Sequence, residues 1–143
     1  MLLPMLLSQI NTTMANTAFR YKDIDISLQR NPATGDIYTL TDNDAVRRSV
    51  KLLVTTALGE RLFHPEIGST VYNSLFEPMD ATTILNIKRS VQDVIKNYEP
   101  RATLLTVDVI ENTDNNGINI NIFFYVNNIP QPVSVTVNLQ RDR

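Results

Sequence analysis

The chain has no cysteine, no tryptophan, a single histidine and only four glycines among its 143 residues. Without cysteine there is no disulfide, no thiolate nucleophile and no Cys-ligated zinc, which suits a reducing compartment without specifying one. The lone His64 excludes His-rich metal sites and leaves a single-His triad unsupported, so no metal is expected. The glycines stand apart at 35, 59, 68 and 117, and neither a GxGxxG fingerprint nor a Walker loop is present. No cofactor is therefore expected. A basic excess is also missing: with a net charge of −2 and a pI near 5.3, no bulk positive field gathers nucleic acid. No apolar run reaches the roughly 20 residues that a membrane span needs. The opening MLLPMLLSQI lacks a basic n-region, is broken by Pro4 and runs into Asn11 and Thr12 without a cleavage site, so neither a targeting signal nor a membrane partner is expected. Met14 offers an alternative start. Residues 1–18 are read as a flexible extension and 19–143 as one domain, a size that the 43% hydrophobic content suits.

What is present is a change of period. In Arg20 to Leu28, Tyr21, Ile24, Ile26 and Leu28 partly alternate with charge, predicting a short extended segment. Asn31 to Asp36 carries proline and glycine and predicts a turn, with Ile37 to Leu40 as a second strand pairing with the first. Thr41 and Asp44 have capping-box spacing, and Val46, Val50, Leu53, Val54 and Ala57 then form one helical stripe, with Gly59 as its stop. Val71 to Glu77 predicts about two further helical turns. Asp80 or Thr82 caps a longer helix over about Ala81 to Asn97, with Ile84, Ile87, Val91, Val94 and Ile95 inward, and Pro100 closes it. Beyond Pro100 the period becomes 2. Leu105, Val107 and Val109 mark one strand, Ile118 to Val126 a second, and Val133, Val135, Val137 and Leu139 a third, joined by turns at Asn112–Gly117 and Asn128–Pro132. The expected fold is α+β: two main helices packed on a C-terminal three-stranded antiparallel sheet, with short N-terminal strands.

Three groups carry candidate chemistry. Glu60, Glu66, Glu77 and Asp80 cluster in sequence, and a glycosidase uses two carboxyls about 5 to 9.5 Å apart, one with a raised pKa. Solvated loop acids, or Glu60 paired with an arginine, explain the same residues with less, so no catalytic residue is assigned. Arg47, Arg48, Lys51 and Arg61 form a modest basic set, read as a solvated helix face or a surface for an acidic partner. Glu99-Pro100-Arg101 places two opposite charges around a rigid backbone at a helix-to-strand junction. Arg101 can there form a bidentate pair with a partner's carboxylate, or with equal weight close an internal ion pair. The sheet adds a second binding surface. The strand of Val133, Val135 and Val137 is a template for strand addition if its edge is open, unless the N-terminal strands cover it.

Four motifs stand in order: Ala45-Val46-x-x-Ser49-Val50-x-x-Leu53; Gly59-Glu60-Arg61-x-Phe63-x-Pro65-Glu66-x-Gly68; Leu75-Phe76-Glu77; and Asn97-Tyr98-Glu99-Pro100-Arg101. Together with Met14-Ala15-Asn16 and Tyr21-Lys22-Asp23-Ile24-Asp25, this order resembles the inner baseplate wedge and sheath-initiator family of contractile phages, contractile bacteriocins and type VI secretion systems. The resemblance spans about residues 14–140. It implies a small α+β domain that is structural and not an enzyme, although the family is often labelled lysozyme-like. It implies that Glu99, Pro100 and Arg101 contact the helical core bundle of other baseplate wedge proteins. It also implies that the sheet, here Val133, Val135 and Val137, receives strands from the tail sheath protein. Six copies around the tail tube are implied, assembled in the host cytoplasm and carried in the virion baseplate.

Overall fold

The computed structural model describes residues 20–112 and 117–140. The N-terminal extension, the alternative start at Met14 and most of the turn expected at 112–117 lie outside the described residues. The chain runs through β1 (Lys22–Ile24), β2 (Thr39–Thr41), α1 (Asp42–Thr55), α2 (Val71–Ser74), α3 (Ala81–Tyr98), β3 (Ala102–Asn112), β4 (Gly117–Val126) and β5 (Pro132–Gln140). This is the α+β arrangement that the change of period predicts.

β1 and β2 pair antiparallel, with Asp23 opposite Leu40. The loop between them closes through the Asn31 amide donating to the Asp36 carbonyl at 2.7 Å, with Gly35 at φ 75. This pair forms its own two-stranded sheet, separate from β3-β4-β5. The N-terminal strands therefore cover neither edge of the larger sheet.

The start of α1 departs from the expected capping box. Thr41 makes no side-chain cap. Asp42 sits at φ 45, and its carboxylate accepts from the amides of Arg20 at 2.9 Å and Tyr21 at 3.2 Å. Asp44 pairs instead with Arg47. The acidic first turn thus ties the preceding chain to the helix rather than closing on its own amides. α1 also ends before Gly59, at Thr55. Returning chain holds the end: the Ser69 hydroxyl donates to the Val54 carbonyl at 2.7 Å, and the Ser69 amide to the Thr56 carbonyl at 2.8 Å. Gly68 makes this approach possible, because a Cβ there would lie 2.8 Å from the carbonyl oxygens of both Thr56 and Ala57. α2 is shorter than the two turns expected, although Leu75 just beyond it is fully buried. α3 matches its expectation, and Asp80 caps it by accepting from the Thr83 amide at 2.7 Å.

Both long helices lie on one face of the β3-β4-β5 sheet, α1 over β5 and α3 over β3. Their stripes (Val46, Val50 and Val54; Ile87, Val91 and Ile95) meet Ile118, Ile120, Ile122, Phe124 and Val126 of β4 in one core. Fully burying one such side chain contributes about 1.5–3 kcal/mol. The opposite face carries Asn119, Asn121, Ser134, Thr136 and Asn138, and the Thr136 hydroxyl donates to Asn121 at 2.8 Å. One inward residue is misplaced by simple alternation. A bulge falls between Leu104 and Thr106, so Leu105 is 50% exposed while Leu104 packs against the core in its stead.

Candidate functional site

The α3–β3 junction brings together the residues singled out as Glu99-Pro100-Arg101. α3 cannot continue past Glu99, because Pro100 follows it, and the Ala102 amide closes a tight turn onto the Glu99 carbonyl at 3.1 Å. Asn127, at the far end of β4, clamps this turn: its side-chain amide donates to the Pro100 carbonyl at 2.8 Å, and its backbone amide to the Arg101 carbonyl at 2.9 Å. The corner is thus fixed from two elements before any charge is considered.

Glu99 is only 2% exposed. Arg101 meets it bidentately, Nε to Oε1 at 2.7 Å and Nη2 to Oε2 at 2.9 Å. Of the two expected pairings the internal one is present, within the chain. Burial by itself would raise the Glu99 carboxyl, but hydrogen bonds from Arg101 and Ser49 and the Arg101 charge outweigh it and hold the group below its ordinary value. Its hydrogen bonds to Glu99, with the Glu99 and Asp23 charges, raise Arg101 against its own burial. The outer side of the guanidinium faces the N-terminal hairpin: Nη1 lies 3.6 Å from Asp23 Oδ2, and the Tyr21 ring centroid is 5.6 Å from Cζ. Adjacency in sequence suffices to pair Glu99 with Arg101. Ser49, Tyr21 and Asp23 stand in the motifs quoted above, but nothing in the sequence ties them or Asn127 to this site, because only the fold brings α1, β4 and the hairpin to this corner.

Val133, Val135 and Val137 point into the core at 4%, 5% and 0% exposure. Their side chains are therefore not a contact surface; what β5 offers is its main chain. With strand order β3-β4-β5, both β3 and β5 are edges. The two differ. β3 has the Leu104/Thr106 bulge together with Asp108 and Glu111, devices that discourage strand pairing. β5 runs nine residues in unbroken register with β4 and holds no charged residue.

The carboxylates read as possible catalysts have local partners. Glu60 accepts from the Ala57 amide at 2.8 Å. Glu66 lies 3.1 Å from His64 Nδ1, and a backbone hydrogen bond and then His64 lower its pKa. Asp80 is lowered by the Thr83 amide that it caps. A glycosidase acid needs the opposite shift. Glu66 does line a polar groove of about 380 Å³ with Asp93, Arg89 and Tyr98. In the basic set, Arg47 and Arg48 are each paired, with Asp44 at 3.0 Å and Asp25 at 3.1 Å, so much of their charge is met within the molecule.

Among the described residues no group of three His, Asp or Glu could hold a metal ion, and no helix is long and apolar enough to cross a membrane. Residues 41–131 match the family model described as baseplate wedge protein gp25. Baseplate wedge protein gp25 of Enterobacteria phage T4 is 31% identical over 120 residues, covering 84% of this chain and 90% of that protein. In shape the chain is similar to a component of the anti-feeding prophage baseplate, solved with 6-fold symmetry, at TM-score 0.67 and 24% identity over 77% of this chain and 88% of that one. It is also similar to a Geobacter sulfurreducens protein solved as a candidate tail lysozyme, at TM-score 0.62 and 22% identity over 68% and 89% of the two chains. With a family model spanning both long helices and the corner between α3 and β3, and a phage relative aligned along most of both lengths, the chain belongs to the gp25 family of baseplate wedge proteins.

Proposed function

We propose that this wedge protein is a non-enzymatic assembly part of a contractile-tail baseplate in the virion, which docks on the helical core of the wedge and starts the tail sheath by accepting a strand. β5 carries this reading: it is a nine-residue edge strand without charge or bulge, and among the described residues no strand pairs with its outer side. An edge of this kind is a ready template for main-chain hydrogen bonds from another chain. Docking is assigned to the Glu99-Pro100-Arg101 corner, whose backbone is fixed by Asn127 and whose exposed Pro100 stands beside the Arg101 pair. Six copies around the tube agree with the symmetry of the related baseplate.

The test is assembly of tails with Thr136 and Asn138 both changed to lysine, which places gatekeeping charge on β5 without touching the core. Sheathless tails carrying the variant at normal occupancy are expected by electron microscopy. Normal sheaths would overturn the strand-template role. A lysozyme-like reading, favoured by the Geobacter relative's name and by the Glu66–Asp93 groove, predicts that the purified chain cleaves peptidoglycan and that Glu66→Gln abolishes this. We expect no cleavage by either protein.

A further inference from the structure

On a face of α3 that the docking corner does not use, Asn86, Ser90, Asp93 and Asn97 recur at i, i+4, i+7 and i+11 and so form one row along the helix. All four line a groove of about 380 Å³, with Arg89 at its shoulder. The opposite wall is the chain that leads into α2, and it is tied to α3 at two points. The Thr70 amide and hydroxyl both donate to Ser90 Oγ, at 3.0 and 2.9 Å, and the Tyr98 hydroxyl donates to the Glu66 carbonyl at 3.0 Å. In sequence, Asp93 and Asn97 fall between the two ties. Such a row costs the helix something, because Asn, Ser and Asp side chains compete for backbone hydrogen bonds and favour caps and turns. A face that needs only solvation carries good helix formers, as α3 does at Lys88, Gln92 and Lys96. Within the molecule the row is also largely unspent. Arg89 and Asp93 form no ion pair among the described residues, and Asn86 and Asn97 make no side-chain hydrogen bond there.

We propose that this groove binds an extended peptide segment of another protein of the tail, one carrying an acid for Arg89 and, two residues along, a base for Asp93. Length fits an extended guest. The row spans about 16 Å at a helical rise of about 1.5 Å per residue, and about five residues of extended chain cover that distance. Arg89 and Asp93 lie about 6 Å apart along the axis, close to the roughly 6.6 Å between alternate strand residues, whose side chains share one face. Asn86 and Asn97 each offer an amide that donates and accepts, matching the N–H and C=O groups of an unpaired main chain. A helical guest has already spent those groups on itself. A neutral glycan would desolvate Arg89 and Asp93 without matching either charge. The groove is thus a third contact of the molecule, separate from both the α3–β3 corner and β5.

The experiment places a photo-crosslinking residue at Asn86 and, in a second preparation, at Asn97, each in the full chain and incorporated alongside the unmodified chain so that tails form. Mass spectrometry is expected to return the same segment of another tail protein from both positions, with an acid and a base two residues apart. Reversing both charges, Arg89→Asp with Asp93→Arg, should lower that adduct at least tenfold while thermal unfolding of the chain is unchanged. Exchanging the acid and the base of the captured segment should restore it. An adduct with a segment of helical period, with residues 1–19 of this chain or with a second copy would overturn the proposal. So would a yield indifferent to the charge reversal, or silence at both positions in assembled tails. Binding of peptidoglycan fragments by the purified chain, lost in Asp93→Arg, would assign the groove to a glycan instead.

Discussion

The β1–β2 hairpin and the β3-β4-β5 sheet both alternate apolar with polar residues, yet they are held by opposite means. In the sheet, the inner sides of β4 and β5 are buried beneath the helices and that of β3 is largely half-buried, and Phe124, Ile120 and Ile122 reach 0% exposure. In the hairpin region the apolar members Ile24, Ile26 and Leu28 are 62%, 52% and 65% exposed. Charge does the holding there: Asp23 reaches Arg101, Asp25 reaches Arg48, and the Asp42 carboxylate takes two backbone amides. Alternation over Arg20 to Leu28 therefore marks a strand only at Lys22–Ile24, with Ile26 and Leu28 in the turn beyond it and Leu28 at φ 51, whereas in the larger sheet it marks both strands and a core. The ion pairs of the hairpin are partly exposed and individually weak, so the two regions should fail under different conditions.

The sharpest break of this contrast is Phe124→Ala, which should cost about 3–5 kcal/mol and unfold the sheet and helices together, read from urea denaturation. Arg101→Ala should follow at about 2–3 kcal/mol, because it strands the buried Glu99 without its partner, although Arg101 is itself partly solvated. Acid acts on the same pair. Glu99 is held below its ordinary value of 4.5, so its contribution is fully present above that pH and is lost as pH falls below it toward the folded-state value. Stability measured from pH 6 downward should decline below about 4.5, and less steeply in Glu99→Gln. Smallest is Asp23→Asn, expected at under about 1 kcal/mol globally. Its effect should appear as faster amide exchange in β1 and β2 alone, reproduced in the unmodified chain by raised salt and absent from β4.

Much of the fold could be read from the residues because each long element repeats its period many times. α3, β4 and β5 present four or more inward positions apiece, and Asp80 stands at the cap where helix chemistry wants it. What escaped reading depended on a partner elsewhere in the chain. Leu105 looks inward by alternation, but β3 inserts an extra residue against β4 there. Thr41 and Asp44 have capping spacing, but Asp42 is drawn to Arg20 and Tyr21. Gly59 looks like a stop for α1, yet Ser69 ends that helix from the other side of a loop. The candidate corner divides in the same way. Glu99 and Arg101 are neighbours in sequence and their pairing could be foreseen, whereas the clamp by Asn127 and the contacts of Tyr21 and Asp23 exist only once three separate segments meet.

The one-sided burial of the sheet has a consequence for any strand that joins β5. The guest continues a surface with helices beneath it and water above, so its own side chains are sorted by parity. A slip of one residue would turn each of its apolar groups outward and each polar group toward α1. No pocket is needed to detect such an error. On the template role proposed for it, the edge would proofread a guest by alternation alone, and a structure begun on it would inherit a defined register from its first layer.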